Sequence, residues 1–405
     1  MEISFTSVAV VAAVAVVAPL ALGLTGLRLP SIVLEILLGI LVGPQVLGWA
    51  TGDEPVEVLS IIGLAFLLLL AGLEVDYDRF RGRLLRLTSL AYVVSLGIAL
   101  AIGAALKAGD LVRSPLLIAI MLSATGLGII LPILKDAGET STPFGQVVIA
   151  GASIAEVVPI VLLSLFFSGK GGVGAGAVLL ATFAVFVLAV GAAIFAAEHS
   201  MRLTTTFMKL QDTTAEIRVR SAFLLLIVFV VLASKFGLEA ILGAFLAGAT
   251  LKLLDRDDMM THAFFRRKLE AVGFGVFVPF FFVATGLRLD VESLFASGSA
   301  LARVPIFLGA LVVIRGLPAL LYRPLAERPE QIVAGGLLQA TSLSFLIVAG
   351  QLGVELDLIS SVNYTALVAA GLISVIVFPL TALNLLRRSP RESRESAAAT
   401  FGVET

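Results

Sequence analysis

The chain of 405 residues contains no cysteine and only two histidines, His199 and His262. Without cysteine there are no disulfides, no thiolate nucleophile and no Cys-ligated metal site, and the absence carries no information about compartment. The histidines fall in segments read as loops, with no nucleophile, metal-ligand cluster or phosphate-binding loop beside them. Water-soluble enzyme chemistry is excluded, and no cofactor is expected. Charge is scarce as well. Asp, Glu, Lys and Arg make up 14% of residues and nearly cancel, to a net charge of −1, so nothing suggests a nucleic-acid partner.

What fills the chain instead is apolar: 59% of residues are hydrophobic. A membrane-spanning helix needs ~20 mostly apolar residues, and thirteen stretches qualify. They run approximately over 4–24, 29–49, 57–73, 87–106, 114–134, 144–168, 173–197, 217–234, 237–253, 271–287, 299–321, 331–352 and 361–386. The connections are short, which predicts an all-α membrane protein built of helical hairpins embedded in lipid. The first stretch follows Glu2 without a preceding Lys or Arg and is as long as a full span, so it reads as a retained helix rather than a signal peptide. Residues 387–405 are polar and rich in Ser, Glu, Arg and Ala, which predicts a disordered tail.

Cytoplasmic loops are enriched in Lys and Arg. One face of the predicted bundle carries only Lys107, Arg113, Lys170, Lys235, Arg288 and Arg303. The other takes the cluster Arg79, Arg81, Arg83 and Arg86, the run Arg266, Arg267 and Lys268, and most of the remaining basic residues. The carboxyl terminus is therefore expected in the cytoplasm and the amino terminus outside, in a multi-pass protein of the cell (inner) membrane. Of the 28 basic residues only Arg315 is assigned to neither face, and it lies inside the eleventh span.

Three segments recur in order. Glu35–Gly39 (EILLG) returns as Glu239–Gly243 (EAILG), Gly72–Asp76 (GLEVD) as Gly286–Asp290 (GLRLD), and Ala124–Gly128 (ATGLG) as Ala340–Ser344 (ATSLS). They map spans 2, 3 and 5 onto spans 9, 10 and 12, a shift of seven. An odd shift inverts the second copy, so the expectation is a 6+1+6 inverted-topology repeat. The first repeat and the start of linker span 7 occupy 1–190, the end of the linker and a cytoplasmic loop 191–216, the second repeat 217–386, and the tail 387–405. Inverted repeats of this kind build secondary transporters, in which two interrupted helices near the midplane present backbone to an ion. The third pair marks where to look. Ser123–Gly128 and Gln339–Ser344 place small and hydroxylated residues in mid-span, predicting that spans 5 and 12 are broken and cross.

One carboxylate stands out. Glu156 lies in the middle of the apolar run Phe144–Phe167, within Gly151-Ala-Ser-Ile-Ala-Glu-Val-Val-Pro159. An acid at that depth costs a few kcal/mol even on lenient insertion scales and points to ion or proton handling.

The order and spacing of EILLGILVGP (Glu35–Pro44), GLEVD (Gly72–Asp76), SAT (Ser123–Thr125), PFFFVATGLRLD (Pro279–Asp290) and the helix around Glu156 resemble the monovalent cation:proton antiporter-2 family over nearly the whole chain. The resemblance implies thirteen helices, with spans 5, 6, 12 and 13 in a mobile core and the remainder a scaffold forming a homodimer. It implies that Glu156 is the ion-binding acid, and that Arg315 is the basic residue often found in the eleventh span. The family usually carries Asp, Asn or Gln just before that acid. Ala155 departs from the pattern, and a single acid goes with electroneutral exchange. Potassium-efflux members add a cytoplasmic nucleotide-binding domain; none follows here, so such regulation is expected to be absent or supplied by a separate subunit.

Desolvation penalises a carboxylate and a nearby cation stabilises it, so a proton and a metal ion compete for Glu156. Sodium and potassium want oxygen ligands. The local supply is Glu156, the Ser153 hydroxyl three residues earlier on the same helix face, the Thr125 hydroxyl, and carbonyls of the broken segments. Thr341, Ser342 and Gln339 are expected to support the core. Arg315 is always charged and must find partners; it either neutralises the empty Glu156 site or bonds scaffold to core. Glu35 is expected to snorkel or to line an entry funnel, and Glu74, Asp76, Glu239 and Asp290 to act as solvated or capping residues at helix ends. The functional expectation is antiport of sodium or potassium against protons by alternating access. The alternatives weighed are a carrier for a small organic solute, and a non-transporting sensor subunit in which Arg315 and Glu156 form a structural pair.

Overall fold

The computed structural model describes residues 5–25, 30–74, 82–140, 142–167, 216–236, 238–254 and 261–387, with isolated positions between 174 and 185. The predicted seventh span, the loop over 191–216 up to Glu216, the tail, His199 and Asp76 lie outside the described residues. Everything regular in the described part is helical: α1 (Thr6–Thr25), α2 (Ser31–Val42), α3 (Glu54–Glu74), α4 (Gly82–Ala108), α5 (Pro115–Leu122), α6 (Leu127–Asp136), α7 (Pro143–Phe167), α8 (Ile217–Lys235), α9 (Ala240–Leu254) and α10 (Thr261–Val272). A π-helical turn, Gly273–Phe277, joins α10 to α11 (Val278–Arg288); α12 (Arg303–Leu311) runs on through a second π-turn, Val312–Gly316, into a 3₁₀ stretch, Leu317–Leu325. The chain ends with α13 (Pro329–Gln339), α14 (Ser344–Glu355) and α15 (Ser361–Arg387). Among the described residues, nine helices are by length and composition long and apolar enough to cross a membrane, and three shorter apolar ones accompany them. The chain is a multi-pass membrane protein.

The helices sort into two groups by what they pack against. In the first, α3 lies on α9 and α11, α2 on α11, α8 on α9, and α1 on α2. In the second, α4 packs on α5 and α7, α13 and α14 on α15, α12 on α15, and α6 on α7. Between the groups the contacts are sparse, chiefly α7 with α9 and α3 with α6. The expected core therefore needs enlarging, because spans 4 and 11 (α4 and α12) pack with the core and not with the scaffold.

Two helix crossings hold the scaffold, and in each backbone meets backbone. A Cβ on Gly39 of α2 would lie 2.3 Å from the Val283 carbonyl of α11, and one on Gly286 of α11 2.3 Å from the Ile36 carbonyl of α2. At the other crossing, a Cβ on Gly72 of α3 would lie 2.1 Å from the Phe245 carbonyl, and one on Gly248 of α9 1.9 Å from that of Leu69. Only glycine permits such approach.

One helix escapes the sequence reading. The segment around His262, expected to be a loop, is α10. It is amphipathic, with Leu269 buried and Phe265 packed beside Leu70 and Leu73, while Arg266 and Glu270 pair across one turn. A search for continuous apolar runs passes over a helix with only one greasy face.

A cavity between two broken helices and the scaffold

Both predicted interruptions are present. α5 stops at Leu122 and α6 begins at Leu127; α13 stops at Gln339 and α14 begins at Ser344. A broken helix inside a membrane must satisfy its freed backbone internally, and the two breaks do so largely against each other. The Gly126 N–H donates to the Thr341 carbonyl at 2.9 Å, and the Thr125 hydroxyl to the Gln339 carbonyl at 2.5 Å. A third bond explains the proline near Glu156. Pro159 has no N–H to give the carbonyl four residues earlier, so the Ala155 carbonyl is left over, and the Thr125 N–H takes it at 3.2 Å. Pro159 thus turns α7 into a docking post for the first break.

Arg315 organises the same region. It is 3% exposed and sits in the π-turn Val312–Gly316. Its Nε donates to Thr125 Oγ1 (2.8 Å), Nη1 to Ser95 Oγ (3.0 Å) and Nη2 to Gln339 Oε1 (2.5 Å), and its guanidinium lies over the Tyr92 ring. Pro318 leaves the Ile314 carbonyl free, by the same logic as Pro159, and Ser95 Oγ donates to it at 2.5 Å. Gln339 passes the connection on, its Nε2 donating to the Val148 carbonyl of α7 at 2.9 Å. The partners sit on α4, on the first break and at the end of α13, all in one group of helices. Arg315 therefore ties the core to itself, correcting the expected bond from scaffold to core. Nor does it pair with Glu156, the contact that the sensor reading required.

Glu156 opens onto a cavity of about 340 Å³ lying between the two groups. From the scaffold come Leu67, Ala71 and Glu74 of α3 and Glu270 of α10; from the core come Thr125, Gly126, Gly128, Glu156, Ser342 and Ser344. Among the described residues no hydrogen bond or ion pair reaches the Glu156 carboxylate, which is half-buried in the wall. Its charged neighbour across the cavity is Glu74.

The other expected site residues fall as follows. Ser153 is buried and donates its hydroxyl to Ile149 O at 3.0 Å, and it does not line the cavity. Thr125 lines the cavity, with its hydroxyl held by Arg315 and Gln339. Thr341 bonds back to Leu337 O at 3.1 Å, and Ser342 reaches the cavity wall. Glu35 is 4% exposed, hydrogen-bonded to Ser31, and absent from the cavity lining. That burial overturns snorkelling, since a side chain with its head in water cannot be enclosed. Glu74 was expected at a solvated helix end. Instead it lines the cavity and is bridged by Arg266, whose Nη2 lies 3.4 Å from Glu74 and whose Nε lies 2.6 Å from Glu270. The signal for this trio was present in the sequence as a charge pair four residues apart on an amphipathic stretch.

The model of the transmembrane sodium/hydrogen exchanger family matches residues 12–388. Over 415 residues the chain is 29% identical to the putative Na+/H+ antiporter YjbQ of Bacillus subtilis (strain 168), covering 99% of this chain and 66% of that protein. It is 27% identical over 370 residues to probable Na+/H+ antiporter 3 of Methanocaldococcus jannaschii, covering 88% of this chain and 91% of that one. The chain thus spans about two thirds of the first relative and nearly all of the second. Its fold is similar to that of the sodium proton antiporter MjNhaP1 from Methanocaldococcus jannaschii, with a TM-score of 0.66 at 18% identity, covering 94% of this chain and 98% of that one. The family is one of transporters, not enzymes. On the match over 12–388, this chain belongs to the sodium/hydrogen exchanger family.

Proposed function

We propose that the chain exchanges sodium or potassium for protons by alternating access, and that proton and cation compete for the Glu156 carboxylate. The observation that carries this reading is an unpartnered acid opening onto a cavity between two sparsely connected groups of helices, beside two crossing helix breaks. Sodium/proton antiport among the relatives supports it. The freed carbonyls of the two breaks beside Glu156 would supply oxygen ligands; Ser153 serves its own helix.

The architecture we propose is thirteen spans in a 6+1+6 inverted repeat. Exchanging span 2 for span 9 and span 3 for span 10 turns the α2/α11 crossing into the α9/α3 crossing, and both are glycine-on-backbone contacts. The scaffold group would form a homodimer and stay fixed while the core group moves, with the amino terminus outside and the carboxyl terminus in the cytoplasm of a cell with this protein in its inner membrane. Exchange would be electroneutral, because Ala155 removes the second acid from α7 and Glu74 is charge-paired with Arg266.

The test is exchange in proteoliposomes with an internal pH dye, adding sodium, potassium and lithium in turn, with and without an imposed potential. Each charge moved would be worth ~2.3 kcal/mol per 100 mV. Cation-driven proton movement indifferent to voltage is the expected result. A potential-driven current would show that a second acid shares the work, and Glu74 is the acid placed to do so.

A further inference from the structure

We infer that the Ser342 hydroxyl is a ligand of the transported cation, contributed by the second break to the cavity that Glu156 also lines. The inference rests on the reading of Glu156 as the exchange site and names the ligand which that reading lacks. It follows from asking which fully buried hydroxyls near Glu156 are free, a restriction that sets aside the half-buried Ser344 of the same lining. Ser123 Oγ donates to Ile120 O at 2.9 Å and shares a hydrogen bond with Tyr92. Thr125 donates to Gln339 O and accepts from Arg315, Ser153 donates to Ile149 O, and Thr341 donates to Leu337 O. Ser342 differs from all of them. It is 1% exposed, it belongs to the cavity wall, and its Oγ has no hydrogen-bond partner.

A hydroxyl shut away from water without a partner is costly, and native structures keep such groups where something else uses them. The surroundings exclude a simple failure of packing, because the backbone of Ser342 is held firmly. Its N–H donates to Ser374 Oγ at 3.2 Å, and Ser374 Oγ lies 3.1 Å from its carbonyl. Gly371 of α15 lets the two segments meet, since a Cβ there would stand 3.0 Å from Ser342 O. The break is thus pinned at Ser342 through its main chain while the side chain stays unspent. A small monovalent cation that loses water on entry needs neutral oxygen dipoles as well as a carboxylate. The enclosed hydroxyl of a residue that lines the cavity holding Glu156 offers one without adding charge, which keeps one cation equivalent to one proton.

The experiment compares wild type, Ser342→Ala and Ser342→Thr in two assays. In detergent, melting is followed in sodium chloride against choline chloride at alkaline pH. Ser342→Ala should melt with wild type in choline, since it removes an unsatisfied group, and should lose most of the rise that sodium gives wild type, because a ligand stabilises only the state it binds. In proteoliposomes its KM for sodium should rise about tenfold with turnover at saturating sodium retained, the signature of lost ground-state binding; Thr, which restores the hydroxyl, should restore the KM. An unchanged KM and an intact sodium-dependent melting shift would overturn the assignment. So would a lowered melting temperature in choline with no rescue by Thr, which would mark a structural role. Glu156→Gln, run alongside, separates the two claims. Exchange surviving in that variant defeats the reading of the site itself, whereas an inactive Glu156→Gln beside a wild-type KM in Ser342→Ala defeats only the role given to Ser342.

Discussion

The two helix breaks begin from nearly the same letters, Ala124-Thr-Gly-Leu-Gly128 and Ala340-Thr-Ser-Leu-Ser344, and end in different employment. At the first, every polar group that can be traced is spent. The Thr125 N–H goes to Ala155 O, its hydroxyl to Gln339 O and Arg315, and the Ser123 hydroxyl to Ile120 O and Tyr92. At the second, the main chain is pinned by Ser374 but the Ser342 hydroxyl is unspent. Similar segments in the two halves of a chain therefore need not share the work equally. One break is built into a rigid frame by a buried arginine, and the other keeps an oxygen in reserve on a residue that lines the Glu156 cavity.

That contrast can be broken at the first break most severely by Arg315→Ala. Removal of the guanidinium strands Thr125, Ser95 and Gln339 without donors in a buried setting. Each stranded group costs ~1–3 kcal/mol, so the melting temperature should fall markedly and transport with it. A melting temperature equal to wild type would mean that water reaches this network and that the frame is not held by Arg315. A smaller version of the same test is Thr125→Val, which keeps the shape and deletes the hydroxyl. It should destabilise the protein by about 1–2 kcal/mol in any salt. The matching deletion at Ser342 should leave stability in choline untouched. If the two variants behave alike in choline, the asymmetry between the breaks is not real.

Much of this is legible in the sequence. Twelve of the thirteen predicted spans overlap described helices, because an apolar run of bilayer length has few other fates. Both breaks were expected within a residue or two of where they lie, since glycine and hydroxylated residues in mid-span are a local signal. What could not be read is which hydroxyl is free. Arg315 and Thr125 are 190 positions apart, and Thr125 and Gln339 are 214 apart, so the fate of each side chain is decided by tertiary contact alone. Pro159 and Pro318 stood in plain view, yet the carbonyls they release, Ala155 and Ile314, acquire meaning only when Thr125 and Ser95 arrive to take them. The charged side of the cavity was missed for a different reason. Arg266 and Glu270 lie on α10, which is too polar to register as a span, and Glu74 gains its place through their company.

The central claim is that one carboxylate, Glu156, takes the proton and the cation by turns. Its most direct test is the Glu156→Gln variant reconstituted in liposomes with a pH dye and challenged with sodium, its fold verified by melting. Gln keeps the volume and the hydrogen-bonding capacity but cannot carry charge. The account predicts a folded protein with no sodium-driven proton movement above that of empty liposomes, and exchange at the wild-type rate would contradict it.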